Sequence, residues 1–160
     1  DRIAVMRGGI IQQLDTPQMI YSRPVNRYVA GFIGSPGMNF IEGDLVGGAG
    51  PTFEAGGLSV PLGRYAFANG GPRAGRVEFG VRPEHVALGE AAAAMPWRHE
   101  VEVEIVEPMG SDALVWARLA GQNFSFRVET ERGVRAGDRL AVGFDPGRAS
   151  LFDAGTGDRI

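Results

Sequence analysis

Between Trp97 and Ile105 apolar and polar residues alternate without a break. Trp97, His99, Val101, Val103 and Ile105 take every second position, and Arg98, Glu100, Glu102 and Glu104 fill the positions between. A period of two sends each set to its own face of a pleated strand, whereas a helix would scatter both around its circumference. The spacing predicts a half-buried strand. Pro108, Gly110, Ser111 and Asp112 then interrupt it with turn chemistry, and a second β-rich run, Ala113 to Leu119, completes a hairpin. The same alternation returns at Phe124, Phe126 and Val128, and again at Leu140, Val142 and Phe144. Shorter strands are predicted over Asn39 to Val46, Thr52 to Ala55, Leu58 to Leu62 and Arg76 to Arg82, separated by glycine clusters. The segment from Arg64 to Gly75 mixes Tyr65 and Phe67 with Asn69, Gly70, Gly71 and Pro72 and reads as a loop with some strand at its start. Ala91 to Ala94 reads as a helical turn or a loop without regular structure, Gly133 to Asp138 as a loop, and Ser150 to Ile160 as a strand, a turn and a last short strand.

The opening of the chain follows a different rule. Arg2 to Met6 and Ile10 to Leu14 are apolar runs joined by Arg7, Gly8 and Gly9, the pattern of a tight hairpin. Thr16 before Pro17 pairs a cap with a first-turn residue, so a short helix is expected until Pro24 ends it. Val25, Tyr28, Val29, Phe32 and Ile33 then recur at helical spacing, with Gly34 to Gly37 as the stop. The period changes from helical to alternating at Gly37 to Asn39, which sets the expected domain boundary.

Composition removes several chemistries. Twenty-five glycines and ten prolines leave little room for helix interiors. Cysteine is absent, so disulfides, thiolate zinc sites and cysteine nucleophiles are excluded. All 16 basic residues are arginine, which excludes a phosphate-binding G-x-x-x-x-G-K-[ST] loop and any lysine base. A net charge of -3 argues against a nucleic-acid sleeve. No signal peptide pattern or membrane-spanning apolar run occurs, so a soluble piece is expected.

Asp1 to Phe40, with its T-P-x-x-I-Y-x-x-P-x-N-R-x-V-A-x-F-I-G-S-P spacing, resembles the last part of the ATPase domain in bacterial sugar-importer ABC proteins of the maltose and glycerol-phosphate type. Gly80 to Val86 (GVRPEHV) resembles a G-[VI]-R-P-E-H motif of that family's C-terminal domain, and the tail after Pro146 resembles its closing pattern. The resemblance implies a mainly β fold: residues 1–38 form the end of the ATPase domain, a hairpin plus a helical stub, and residues 39–160 an OB-like β-barrel called the TOBE domain. In the family the P-loop, signature sequence, Walker B acid and switch histidine lie in a part with no counterpart here. The expectation is therefore a severed C-terminal portion that is not catalytic by itself, with ATP and Mg bound by the full-length parent. The implied setting is a homodimer, joined to membrane-spanning permease subunits on the cytoplasmic face of the membrane and open to a regulatory protein. The stub is expected to expose Val29, Phe32 and Ile33 and to be swapped between chains or disordered.

Candidate sites are few. Arg82, Glu84 and His85 bring a guanidinium, a carboxylate and an imidazole together, as an anion or small-molecule site or as a strand end whose polar groups satisfy loop carbonyls. His99 reads as a packed or partly exposed residue rather than a ligand, and two histidines without cysteine make zinc improbable. Glu100, Glu102 and Glu104 read as solvated residues or an interface rim. Trp97, Trp116, Phe124, Phe126 and Phe144 read as core rather than a base-stacking platform, which normally comes with a basic groove. The resemblance makes Glu107, Gly110, Ser111 and Asp112, with Leu151 and Phe152 of the tail, a candidate subunit interface; the alternative is an ordinary hairpin turn plus a core Phe. The runner-up function is a β domain that senses a small ligand or oxyanion through the Arg82 to His85 segment.

Overall fold

The structure, a computed structural model, describes residues 1–68 and 70–160, so Asn69 of the predicted loop lies outside the described residues. Strands β1 (Ile3–Arg7) and β2 (Ile10–Asp15) form the predicted hairpin. Gly8 and Gly9 turn it with φ of +56° and +79°, a pair of left-handed conformations that glycine adopts at no steric cost. Helix α1 (Pro17–Ser22) starts where Thr16 accepts a hydrogen bond from the Met19 N–H, and α2 (Arg27–Phe32) starts where Asn26 does the same for Val29.

Two five-stranded antiparallel sheets follow. The first runs in the order β12 (Ser150–Asp153), β6 (Gly75–Val81), β3 (Asn39–Val46), β4 (Thr52–Ala55), β5 (Leu58–Pro61). The second runs β10 (Gln122–Glu129), β9 (Asp112–Leu119), β8 (Trp97–Met109), β11 (Arg139–Phe144), β7 (Ala87–Leu88). A short helix, α3 (Glu90–Ala93), occupies the alanine stretch, and Arg64 to Ala68 carries no strand. One core fills the space between the sheets. Phe53 stacks on Phe79, Phe79 meets Phe144 at a tilt and Phe144 stacks on Trp97, with ring centroids 5.0, 5.6 and 4.5 Å apart. Phe124 and Phe126 are buried in the same core, whereas Trp116 is half-buried and donates to Glu107.

The sheets are joined along β3 and β10 by side chains that behave as backbone. Asn39 Nδ2 donates to the Ser125 carbonyl at 2.7 Å, and its Oδ1 accepts from the Ser125 N–H at 2.8 Å and the hydroxyl at 3.1 Å. Gln122 repeats the device: its Nε2 donates to the Glu42 carbonyl at 2.9 Å and its Oε1 accepts from the Glu42 N–H at 2.8 Å. Two carboxamides thus supply the donor and acceptor pairs that a ladder would have supplied, closing the barrel where no strand pairing occurs.

The central strand departs from its sequence pattern at one place. Trp97, Val101 and Val103 face inward, but pairing with β9 slips between Val103 and Ile105, a β-bulge, so Ile105 is 56% exposed and the following Val106 packs against the core instead. His99 is exposed and stacks against Trp97.

The first 38 residues pack on the β domain of their own chain. Val29 is fully buried with Val5 and Ile20, a correction to the expectation that it would be uncovered; Ile33 is partly buried, and Phe32 alone of the three is exposed, at 63%. The tail adds backbone bonds: Arg159 N–H donates to the Val25 carbonyl and Arg27 N–H to the Gly157 carbonyl. No helix among the described residues is long and apolar enough to cross a membrane.

Candidate functional site

Arg82 leaves the end of β6 and is only 2% exposed. Its Nη1 donates to the Ile33 carbonyl at 2.7 Å and its Nη2 to the Tyr21 carbonyl at 2.9 Å, while the guanidinium lies 4.1 Å from the centroid of the Tyr21 ring. Both carbonyls belong to helix ends, where acceptors lack intrahelical partners and the dipole favours a cation. Burial holds the guanidinium below its ordinary pKa, and Tyr21 and Glu84 act against that shift. A single arginine thus caps α1 and α2 at once and ties them to the barrel.

The neighbours in the motif point the same way. Tyr21 donates its hydroxyl to Glu84 in a short hydrogen bond, and burial, followed by that bond, pushes the phenol up to about 12. His85 Nε2 lies 3.0 Å from an Arg148 Nη2 and 3.5 Å from the Tyr21 hydroxyl. The structure therefore brings Arg82, Glu84 and His85 together around Tyr21.

Burial, then the charge of Arg148, holds the His85 pKa below its ordinary value. The neutral form is the one the fold prefers, so this contribution to stability is complete above the unfolded value of about 6.5 and is lost as pH falls through and below it. Calorimetric melting should therefore show a steeper loss of stability between about pH 7 and pH 5 for the native chain than for His85→Gln. Parallel curves would remove His85 from the account.

The floor of this region is a cleft of about 470 Å³ between α1 and the barrel. Arg23, Arg148 and Arg159 line it beside Arg82 and His85, with Tyr21 and Tyr65 as aromatic walls. Sequence reasoning missed Arg23, Arg148 and Arg159 because they lie on three segments far apart in the chain.

The second candidate group divides. Gly110 and Ser111 form the exposed tip of the β8–β9 hairpin, Glu107 and Asp112 flank it on the two strands, and Asp112 pairs with Arg127. Leu151 is fully buried in the barrel core and Phe152 on the opposite face of its strand against Ala30 of α2, Met38 and Phe40, so the single chain presents neither at its surface, a correction to the interface that the resemblance implied for these two residues. No cluster of three or more histidine, aspartate or glutamate residues suited to a metal occurs among the described residues.

Comparison with known proteins adds to this geometry. Residues 34–86 match the family model described as the MalK OB fold domain, and residues 79–152 the TOBE domain. The sn-glycerol-3-phosphate import ATP-binding protein UgpC of Cupriavidus pinatubonensis is 36% identical across all of this chain and 45% of its own length. The xylose/arabinose import ATP-binding protein XacK of Haloferax volcanii is 38% identical across all of the chain and 42% of its own. The oligosaccharides import ATP-binding protein MsmX of Bacillus subtilis is 34% identical across 99% of the chain and 44% of its own. The chain thus spans less than half the length of these relatives. A molybdate-bound cytoplasmic molybdate-binding protein, ModG, overlaps 71% of this chain and 94% of its own at 17% identity with a TM-score of 0.49, too slight a likeness to transfer a ligand. With the two-sheet barrel and both domain matches on one polypeptide, the chain carries the MalK OB fold and TOBE domains over residues 34–152 and is similar along its whole length to ABC importer ATP-binding subunits.

Proposed function

We propose that the chain is the regulatory and dimerisation part of the ATP-binding subunit of an importer for sugars or related solutes, with residues 1–38 closing the ATPase domain. The observation that carries this reading is the similarity of the chain, from end to end, to import ATP-binding proteins. Physical support comes from the hairpin. Ile3, Met6, Ile10, Ile11 and Leu14 are exposed on a two-stranded ribbon, which is marginal unless further structure covers it. The rest of an ATPase domain would do so, and would bind ATP and Mg, so the chain alone turns over no nucleotide. In the assembled importer it lies on the cytoplasmic side, beneath permease subunits. Two copies held together raise the effective concentration of their ATPase halves for each other.

The contact between copies uses the β8–β9 tip, where Glu107, Gly110, Ser111 and Asp112 flank Met109 in the chain, and Met109 is half exposed, as is Ile105 further along the same strand. Sedimentation of the full chain should give a dimer that Met109→Arg converts to a monomer. A native chain that stays monomeric up to its solubility limit would sink the dimerisation role, and measurable ATP hydrolysis would sink the non-catalytic one. A second reading, sensing of a small oxyanion, is favoured by the arginine-lined cleft.

A further inference from the structure

Ten of the sixteen arginines make no ion pair among the described residues, and the four that line the cleft beside α1 are all of that kind. Arg23, Arg82, Arg148 and Arg159 have no carboxylate oxygen within 4.0 Å, and no aspartate or glutamate lines the cleft. Outside the cleft half of the arginines are matched with acid among the described residues, as Arg27 is with Glu78, Arg64 with Asp145, Arg118 with Glu104 and Arg127 with Asp112, whereas in the cleft none is. Four cations converging without a counter-charge repel one another, an arrangement that an anion relieves.

Donors are in surplus there too. Arg159 donates to the Ser150 hydroxyl and, at the limit of reach, the Pro24 carbonyl, while its Nε is buried with no acceptor. His85 Nδ1 is likewise buried with no hydrogen-bond partner. The nearest acid, Glu84, is engaged by the Tyr21 hydroxyl.

We propose that this cleft binds a small phosphomonoester, with the guanidinium groups on its phosphate and Gln18, Ser22 and the tyrosine walls against its hydroxylated body. Guanidinium groups match phosphate oxygens in geometry as well as charge. A volume of about 470 Å³ exceeds what a bare phosphate fills and falls in the range of small-molecule sites. The placement gives the ligand a mechanical consequence. Arg23 follows α1, Arg82 caps it from the barrel, and Arg148 and Arg159 come from the barrel's last segments. A dianion bridging them adds to the linkage between residues 1–38 and the β domain, which deepens the oxyanion-sensing reading by giving it a ligand class and an output.

The test is calorimetric titration of the full chain at roughly 0.15 M salt, with glucose 6-phosphate, inorganic phosphate, sulfate and unphosphorylated glucose as probes. Glucose 6-phosphate should bind saturably and glucose should not. Arg23→Gln and Arg148→Gln, both on exposed side chains outside the core, should each weaken binding roughly tenfold or more, the loss of one charge-assisted contact. Arg139→Gln, on an exposed β11 position, should leave affinity unchanged. Sulfate, whose charge is constant over this range, should bind more tightly as pH falls and His85 gains its proton. Absence of saturable binding, or equal loss in Arg139→Gln, overturns the site; inorganic phosphate binding as tightly as the ester overturns the phosphomonoester class. These outcomes are independent of sedimentation, so a monomeric chain that binds leaves the site standing while the dimerisation role fails.

Discussion

Asn39→Leu is expected to lower the melting temperature of the chain by roughly 10 °C, corresponding to about 3 kcal/mol for a domain of this size. Leucine has the same number of side-chain heavy atoms with the same branching as asparagine, so the shape at the start of β3 is nearly kept, with somewhat bulkier ends, while the polar pairing is deleted. The Ser125 N–H and C=O then remain buried without partners, each worth about 1–3 kcal/mol in lost hydration. Gln122→Leu removes the matching device from the exposed part of the same seam. Water replaces the carboxamide at Glu42 there, so the expected cost is below about 1 kcal/mol. Differential scanning calorimetry of the two variants decides the matter: equal costs would mean that the buried carboxamide does not hold the sheets together.

That seam marks the limit of what the sequence discloses. Strands β3, β4, β8 and β10 follow directly from period-two alternation, the first helix from its Thr16 cap and the second from the helical spacing of Val25 to Ile33, whereas the Asn26 cap that starts it went unread. Asn39 was visible only as a polar residue in the inward phase of Ile41 and Leu45; nothing local names Ser125, 86 residues away, as its partner. The bulge after Val103 was hidden because Ile105 continues the alternation in sequence while the pairing with β9 slips. The GVRPEHV motif located half of the cleft, since its three polar residues are adjacent in the chain. Arg23, Arg148 and Arg159 reach it from a helix end, a turn and the tail, a convergence set by the packing of α1 on the barrel rather than by any spacing. For Leu151 and Phe152 the resemblance suggested a contact and the alternative was a core residue; the structure has the second, because their strand is buried on both faces.

Arg82→Met should loosen the first 38 residues before it loosens the barrel. Methionine fills much of the space of the arginine stem but leaves the Tyr21 and Ile33 carbonyls without their donor, at about 1–3 kcal/mol each, offset in part because a guanidinium no longer has to be buried. A net loss of about 2–4 kcal/mol is expected, concentrated where the caps are lost. Hydrogen exchange should therefore quicken at the amides of Ile20, Ala30 and Ile33, which close the turns of α1 and α2, while amides of β10 and β11 keep their protection. Arg82→Lys should recover only part of this protection, because one ammonium cannot reproduce the planar fork that spans two helix ends and lies on the Tyr21 ring. Gly34→Ala should reproduce the pattern from the other side. Its φ is +109°, and an added Cβ would stand 2.7 Å from Arg82 Nη1, displacing the guanidinium from its acceptors. A uniform rise in exchange across helices and barrel in all three variants would show that Arg82 stabilises the whole chain rather than the junction. A selective rise would identify that one side chain as the link that holds the first 38 residues on the barrel.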